Sequence, residues 1–160
     1  MNAQRDRATL HQHVAPHLHP ENFVYCTFSD FRIPPGLNPI CTFREAEGIT
    51  AIVEKVQAER CGSPYLFESH LITLKVHSSL EAVGLLATLA RHLADADIPC
   101  NVVAGYHHDH LFVPTGQAEL ALNLLSSICV SAPAGATPAN PPVDQLKMKS
   151  AASPANRRGS

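Results

Sequence analysis

Leu71-Ile-Thr-Leu-Lys-Val-His77 is the stretch on which the fold turns. Ile72, Leu74 and Val76 alternate with Thr73, Lys75 and His77, the period of two that sends one set of side chains to a covered face and the other to an open one. The period then changes. Leu86, Leu89, Ala90 and Leu93 form one stripe of a helix, and Thr88, Arg91, His92 and Asp95 take the other side. Pro99 ends that helix, and Cys100–Tyr106 with His110–Val113 read as a hairpin turning around His107–Asp109. Pro114 closes the hairpin. From Gln117 to Cys129 a last helix carries Ala118, Ala121, Leu122, Leu125 and Cys129 on one flank, with Leu120, Leu124 and Ile128 beside them. Strand, helix, strand, strand, helix over roughly Ser69–Cys129 is the order of an α+β ferredoxin-like sandwich, in which helices cover one face of an antiparallel sheet. The apolar arc of the last helix is wider than one sheet contact needs, and Thr73 and Lys75 are only half-polar. Both point to packing against the first half or a second subunit.

Upstream the signals are weaker. Arg7–Ala15 is expected as a short, weak helix, since His11, His13, His17 and His19 are mediocre helix formers and Pro16 and Pro20 end it. Phe23–Phe28 is aromatic and β-branched and reads as a strand, with a loop at Pro34-Pro35-Gly36 and Asn38-Pro39. Ile40–Arg44 and Ile49–Val53 flank Glu45-Ala-Glu-Gly48 as a hairpin whose glycine takes a positive φ. A helix from Glu54 to Arg60, stopped by Gly62 and Pro64, closes this part. Beyond Val130 the composition turns to Ser, Ala, Pro, Gly and Asn, with too little large apolar surface to offset ordering entropy. The expected partition is an N-terminal arm over 1–19, a first half over 20–66, a second over 67–130 and a disordered tail over 131–160.

Composition excludes several classes. The chain has 160 residues, 45% of them hydrophobic, enough for a packed core. Its formal net charge is −2 with no basic stripe, so nucleic acid is not an expected partner. No segment approaches the ~20 apolar residues of a membrane span, and Met1–Ala15 lacks a signal-peptide run, so a cytoplasmic location is expected. The five cysteines, Cys26, Cys41, Cys61, Cys100 and Cys129, are widely spaced without a C-x-x-C pair and read as buried reduced thiols.

Leu74-Lys-Val-His-Ser-Ser-Leu-Glu-Ala-Val-Gly-Leu-Leu-Ala87, followed by Leu93-Ala-Asp-Ala-Asp-Ile-Pro-Cys-Asn-Val-Val-Ala-Gly105, resembles the first strand, loop, glycine, helix and second strand of ACT domains. Tyr106-His-His-Asp-His-Leu-Phe-Val-Pro114, with Thr42-Phe-Arg-Glu-Ala-Glu-Gly48 upstream, resembles a stand-alone subfamily of tandem ACT-like proteins of unassigned function. The likeness runs over residues 20 to 129, and cytosolic amino-acid sensors built from tandem ACT domains are similar at a greater distance. The resemblance implies two ACT-like halves packed together. It also implies a regulatory protein that binds a small metabolite, an amino acid by family habit, without chemistry on it and without a cofactor.

The residues nominate a ligand loop at Ser78, Ser79, Leu80, Val83, Gly84 and Leu85. A strand-to-helix junction leaves backbone N–H groups pointing outward where the helix dipole favours an anion, and a carboxylate fits there. Ser78 and Ser79 add hydroxyls, and Gly84 permits close backbone approach. The resemblance adds Asn101 and Val102, which in the family lie beside the bound metabolite at a domain interface. The bland alternative is a capping box with Ser78 as N-cap and Glu81 three residues on.

His107, His108, Asp109 and His110 invite a metal reading, but adjacent strand residues point to opposite faces, so a polar turn and no metal are expected. Glu45, Glu47, His77 and Ser79 could be recruited for catalysis, and Cys26 or Cys41 as nucleophile, yet a solvated turn and core thiols explain them as well. Arg44 can pair with either acid or meet a ligand carboxylate. The expected function is therefore a non-catalytic metabolite sensor, working as a homodimer. The alternatives are a ligand-free protein–protein interaction module and a small enzyme.

Overall fold

In the computed structural model, residues 15–75 and 83–130 are described. The order is β1 (Ala15–Phe28), β2 (Cys41–Arg44), β3 (Ile49–Glu54), α1 (Lys55–Cys61), β4 (Leu66–Lys75), α2 (Leu85–Asp95), β5 (Asn101–Ala104), β6 (Asp109–Pro114), a 3₁₀ turn at Thr115–Gln117 and α3 (Ala118–Val130). All six strands form one antiparallel sheet in the order β2-β3-β1-β4-β6-β5. The expected tail over 131–160 and most of the expected helix over Arg7–Ala15 lie outside the described residues.

Alternation on each strand sorts the side chains between two faces. On one, Ile72, Leu74, Leu111 and Val113 meet Leu85, Leu89 and Leu93 of α2 and Ala118, Ala121 and Leu125 of α3, all buried. On the same face, Val24, Cys26, Ala51 and Val53 receive Ala58 of α1. The opposite face carries Phe23, Ile52, Leu71 and Phe112, flanked by Tyr25, Phe67 and Val103, a cluster that the described strands supply without a helix.

The strand order shows how two ferredoxin-like halves fit into six strands. The second half, β4-α2-β5-β6-α3, has no fourth strand after α3 among the described residues; the place beside β4 is taken by β1, whose Ala15, Pro16, His17 and Leu18 pair with Lys75, Leu74, Thr73 and Ile72. The first half, β1-β2-β3-α1, is closed in turn by β4 beside β1, through Asn22↔His70 and Phe23↔Ser69. Each half thus borrows its closing strand from the other. β4 begins at Leu66, where the partition read from the sequence ends its first half.

Ala15–His19 is strand, where the sequence suggested the end of a helix before Pro16 and Pro20. The prolines are tolerated because β1 changes register between Leu18 and Asn22: four steps along β1 face two along β4, from Ile72 to His70. Pro20 sits in that bulge, where no ladder hydrogen bond is asked of it. The crossover after β1 lacks a helix. Residues 29–40 instead run as a loop on α1, with the Asn38 N–H donating to Gln57 Oε1 at 2.8 Å and Arg60 Nη2 to the Gly36 carbonyl at 3.2 Å. At the β2–β3 turn Gly48 is needed because a Cβ would collide with the Phe28 carbonyl.

Candidate functional site

α2 starts later than the capping signature at Ser78 and Glu81 suggested. Its N-cap is Gly84, at φ 99° and ψ −15°, and among the described residues no side chain caps it. Thr88 spends both its donors on the Gly84 carbonyl, N–H at 2.9 Å and Oγ1 at 2.8 Å. Leu85 is driven inward by burial against the second-half core, which fixes where the helix begins. The first turn carries no acidic side chain that would offset the positive end of the helix. Val83 is 76% exposed immediately before them. Ser78, Ser79 and Leu80 lie outside the described residues.

Asn101 and Val102 are exposed on β5, an outer strand of the sheet. They pair with Phe112 and Leu111, which pair with Leu71 and Ile72. Val102 is therefore separated from β4 by β6 and set three residues back from the end of β4 at Lys75. Within one chain the strand register does not place Asn101 and Val102 beside the start of the loop.

Of the remaining nominated residues, His77 lies outside the described ones, and several others have structural partners. Glu45 accepts from Thr50 Oγ1, its N–H donates to the Gly48 carbonyl at 2.8 Å, and Glu47 is exposed, as a solvated turn requires. The Arg44 guanidinium lies over the Phe31 ring, 5.2 Å from its centroid. Cys26 is buried, whereas Cys41, Cys61 and Cys100 are only half-buried, a correction to the reading of all as core thiols. Burial pushes the Cys26 thiol up and that of Cys100 to about 11, against thiolate chemistry. Among the described residues no group of three or more His, Cys, Asp or Glu is arranged to hold a metal ion.

Sequence reasoning missed two features. A cavity of about 340 Å³ lies where the β1 bulge meets the start of α3, lined by Leu18, Pro20, His70, Thr115 and Glu119. On the opposite sheet face a hydroxyl joins two imidazoles: Thr73 Oγ1 is 2.9 Å from His19 Nε2 and 3.0 Å from His110 Nδ1. Burial lowers the pKa of both histidines, helped at His19 by His17 and at His110 by His108. The His17-Leu18-His19 alternation was the available signal, masked by the flanking prolines.

Two interlocked ferredoxin-like halves, each closed by a strand of the other, are the architecture that the described residues build. Family models described as ACT domain match residues 3–70 and 66–127, so the matched ranges meet within β4, the shared strand. The chain belongs to the ACT-domain family, as a tandem pair. It is similar to a Vibrio cholerae protein of unknown function described as a possible transport protein, at 41% identity over 78% of this chain and 97% of that one, with a TM-score of 0.69. An Agrobacterium tumefaciens protein (13% identity, 72% and 89% covered, TM-score 0.63) is alike in fold. So is the regulatory subunit of aspartate kinase from Thermus flavus (9%, 71% and 96%, 0.56). No curated protein matches the sequence. Tandem ACT domains support a ligand-binding regulatory role, and no helix among the described residues is long and apolar enough to cross a membrane.

Proposed function

We propose that this protein is a non-catalytic cytoplasmic sensor that binds a small carboxylate metabolite, an amino acid, at the junction between β4 and α2. The carrying observation is the start of α2: a left-handed glycine as N-cap, no capping side chain among the described residues and no acid in the first turn. Such a terminus offers backbone donors and a favourable dipole to a carboxylate, and Gly84 leaves room for it. Ser78, Ser79, Leu80, Val83 and Leu85 complete the loop in this reading. Asn101 and Val102 would come from a second copy, because their own chain sets them apart from the loop in register. A homodimer is therefore part of the proposal, and ligand binding would shift the balance between arrangements of the two subunits.

A thermal-shift screen against the amino acids tests this. A ligand at a hundred times its dissociation constant should stabilise the fold by ~2.7 kcal/mol. No shift with any amino acid, in a protein that melts cooperatively, would leave the interaction-module reading in its place.

A further inference from the structure

β1 is attached to β4 in two pieces. Phe23–Phe28 is held by β3, with Phe23 and Tyr25 also paired to β4, but Ala15–Leu18 lies beyond the bulge and, among the described residues, pairs with β4 alone. This short piece closes the second half. On the helix face Leu18 packs against the core, and on the other face the chain His19–Thr73–His110 ties β1, β4 and β6 together. We propose that this chain is a proton-operated latch: it holds Ala15–His19 on β4 while at least one of the two imidazoles is neutral, and releases it when both are charged.

The argument is one of donors and acceptors. A threonine hydroxyl has one proton to give and lone pairs to receive with. With both rings neutral, one ring N–H donates to Thr73 Oγ1 and the Thr73 hydroxyl donates to the other ring. One added proton leaves this intact, because an imidazolium on one side donates and a neutral ring on the other still accepts. A second proton makes both rings donors to the same oxygen. The Thr73 hydrogen then has no acceptor in the chain, and two like charges are held one hydroxyl apart in a half-buried site. The pair should titrate in two separated steps.

Charges around the chain lean the same way. His17 on β1, its ring 5.0 Å from that of His19, and Lys75 on β4 oppose charge at His19, while Glu21 favours it. At His110, His108 and His19 oppose charge and Asp109 favours it; β5, Asn101–Ala104, brings no titratable group. Both histidines sit below their ordinary value of 6.5, first because of burial. The sign follows: their contribution is complete above 6.5, where the unfolded chain is neutral too, and is lost as pH falls through the lower folded values. His70 is the internal control. Its Nδ1–H donates to the His19 carbonyl at 3.1 Å, a bond that neutral and charged rings both make.

Hydrogen exchange of the full chain at about pH 7.5 and about pH 5, corrected for the intrinsic exchange rate, reads the latch. Opening of Ala15–His19 should increase at the lower pH by more than that of Phe23–Phe28. His110→Gln, which cannot take up the second proton, should keep the strand closed at the lower pH. Thr73→Val, which removes the shared hydroxyl, should open the strand more than the native protein does at about pH 7.5. The proposal is overturned if Ala15–His19 and Phe23–Phe28 respond alike in the native protein, or if His110→Gln opens with pH as the native chain does. Should Thr73→Val fail to fold, the His110→Gln comparison decides alone.

Discussion

Ser69 shows how much one hydroxyl can do where two strands change register. It is fully buried, and its Oγ donates to the Phe23 carbonyl at 3.0 Å, beside the shift between Phe23 and Tyr25 that breaks the ladder. Ser69→Ala leaves that carbonyl without its donor and should lower stability by about 1–3 kcal/mol in urea unfolding. A loss under half a kilocalorie would mean that the bulge satisfies itself. Gly84 was legible as a special position because glycine inside a helix is costly. The helix boundary was not, because Ser78 and Glu81 form a local capping pattern whereas the start is set by where Leu85 meets a core assembled from distant segments. His19, Thr73 and His110 lie 54 and 37 residues apart in sequence along their two hydrogen bonds, so no local pattern announces them.

At the scale of elements, period-two and helical alternation between Leu71 and Cys129 were enough to find β4, α2, β5, β6 and α3, although β4 begins earlier than that alternation, at Leu66. The first half was harder for a physical reason: its first crossover is the proline-rich loop 29–40 instead of a helix, and its closing strand lies in the other half. The missing fourth strand of the second half was likewise unreadable, since it precedes everything it closes. The aromatic cluster on the helix-free face holds these pairings together. Phe112 is 1% exposed and meets Phe23 and Tyr25 edge to face, with ring centroids 6.0 and 5.7 Å apart. Phe112→Ala should cost about 3–5 kcal/mol, the range for removing a buried aromatic, and thermal unfolding should remain a single transition because both halves share β1 and β4. Two separated transitions would contradict the interlocking.

The whole molecule is expected to work as a pair. Leu120 of α3 and Val102 and Tyr106 at the β5 end are exposed apolar or aromatic groups, and β2 and β5 are the outer strands of the sheet among the described residues. Light scattering at micromolar concentration should give twice the mass of the 17.2 kDa chain. A strict monomer would remove the second copy from the ligand site. Deleting 131–160 should leave the melting temperature within a degree or so, because that composition adds little apolar burial; a large drop would show that Val143, Leu146 or Met148 docks on the core. The central claim is that a carboxylate metabolite sits against the start of α2. Titration calorimetry of the strongest amino-acid hit, on the native protein and on Gly84→Val, tests it most directly. At φ 99° a branched side chain is strained, by about 1–2 kcal/mol, and fills the space the ligand needs. The account expects saturable binding to the native protein and affinity lowered by at least about tenfold in the folded variant, a 1.4 kcal/mol loss; equal affinity in both would contradict it.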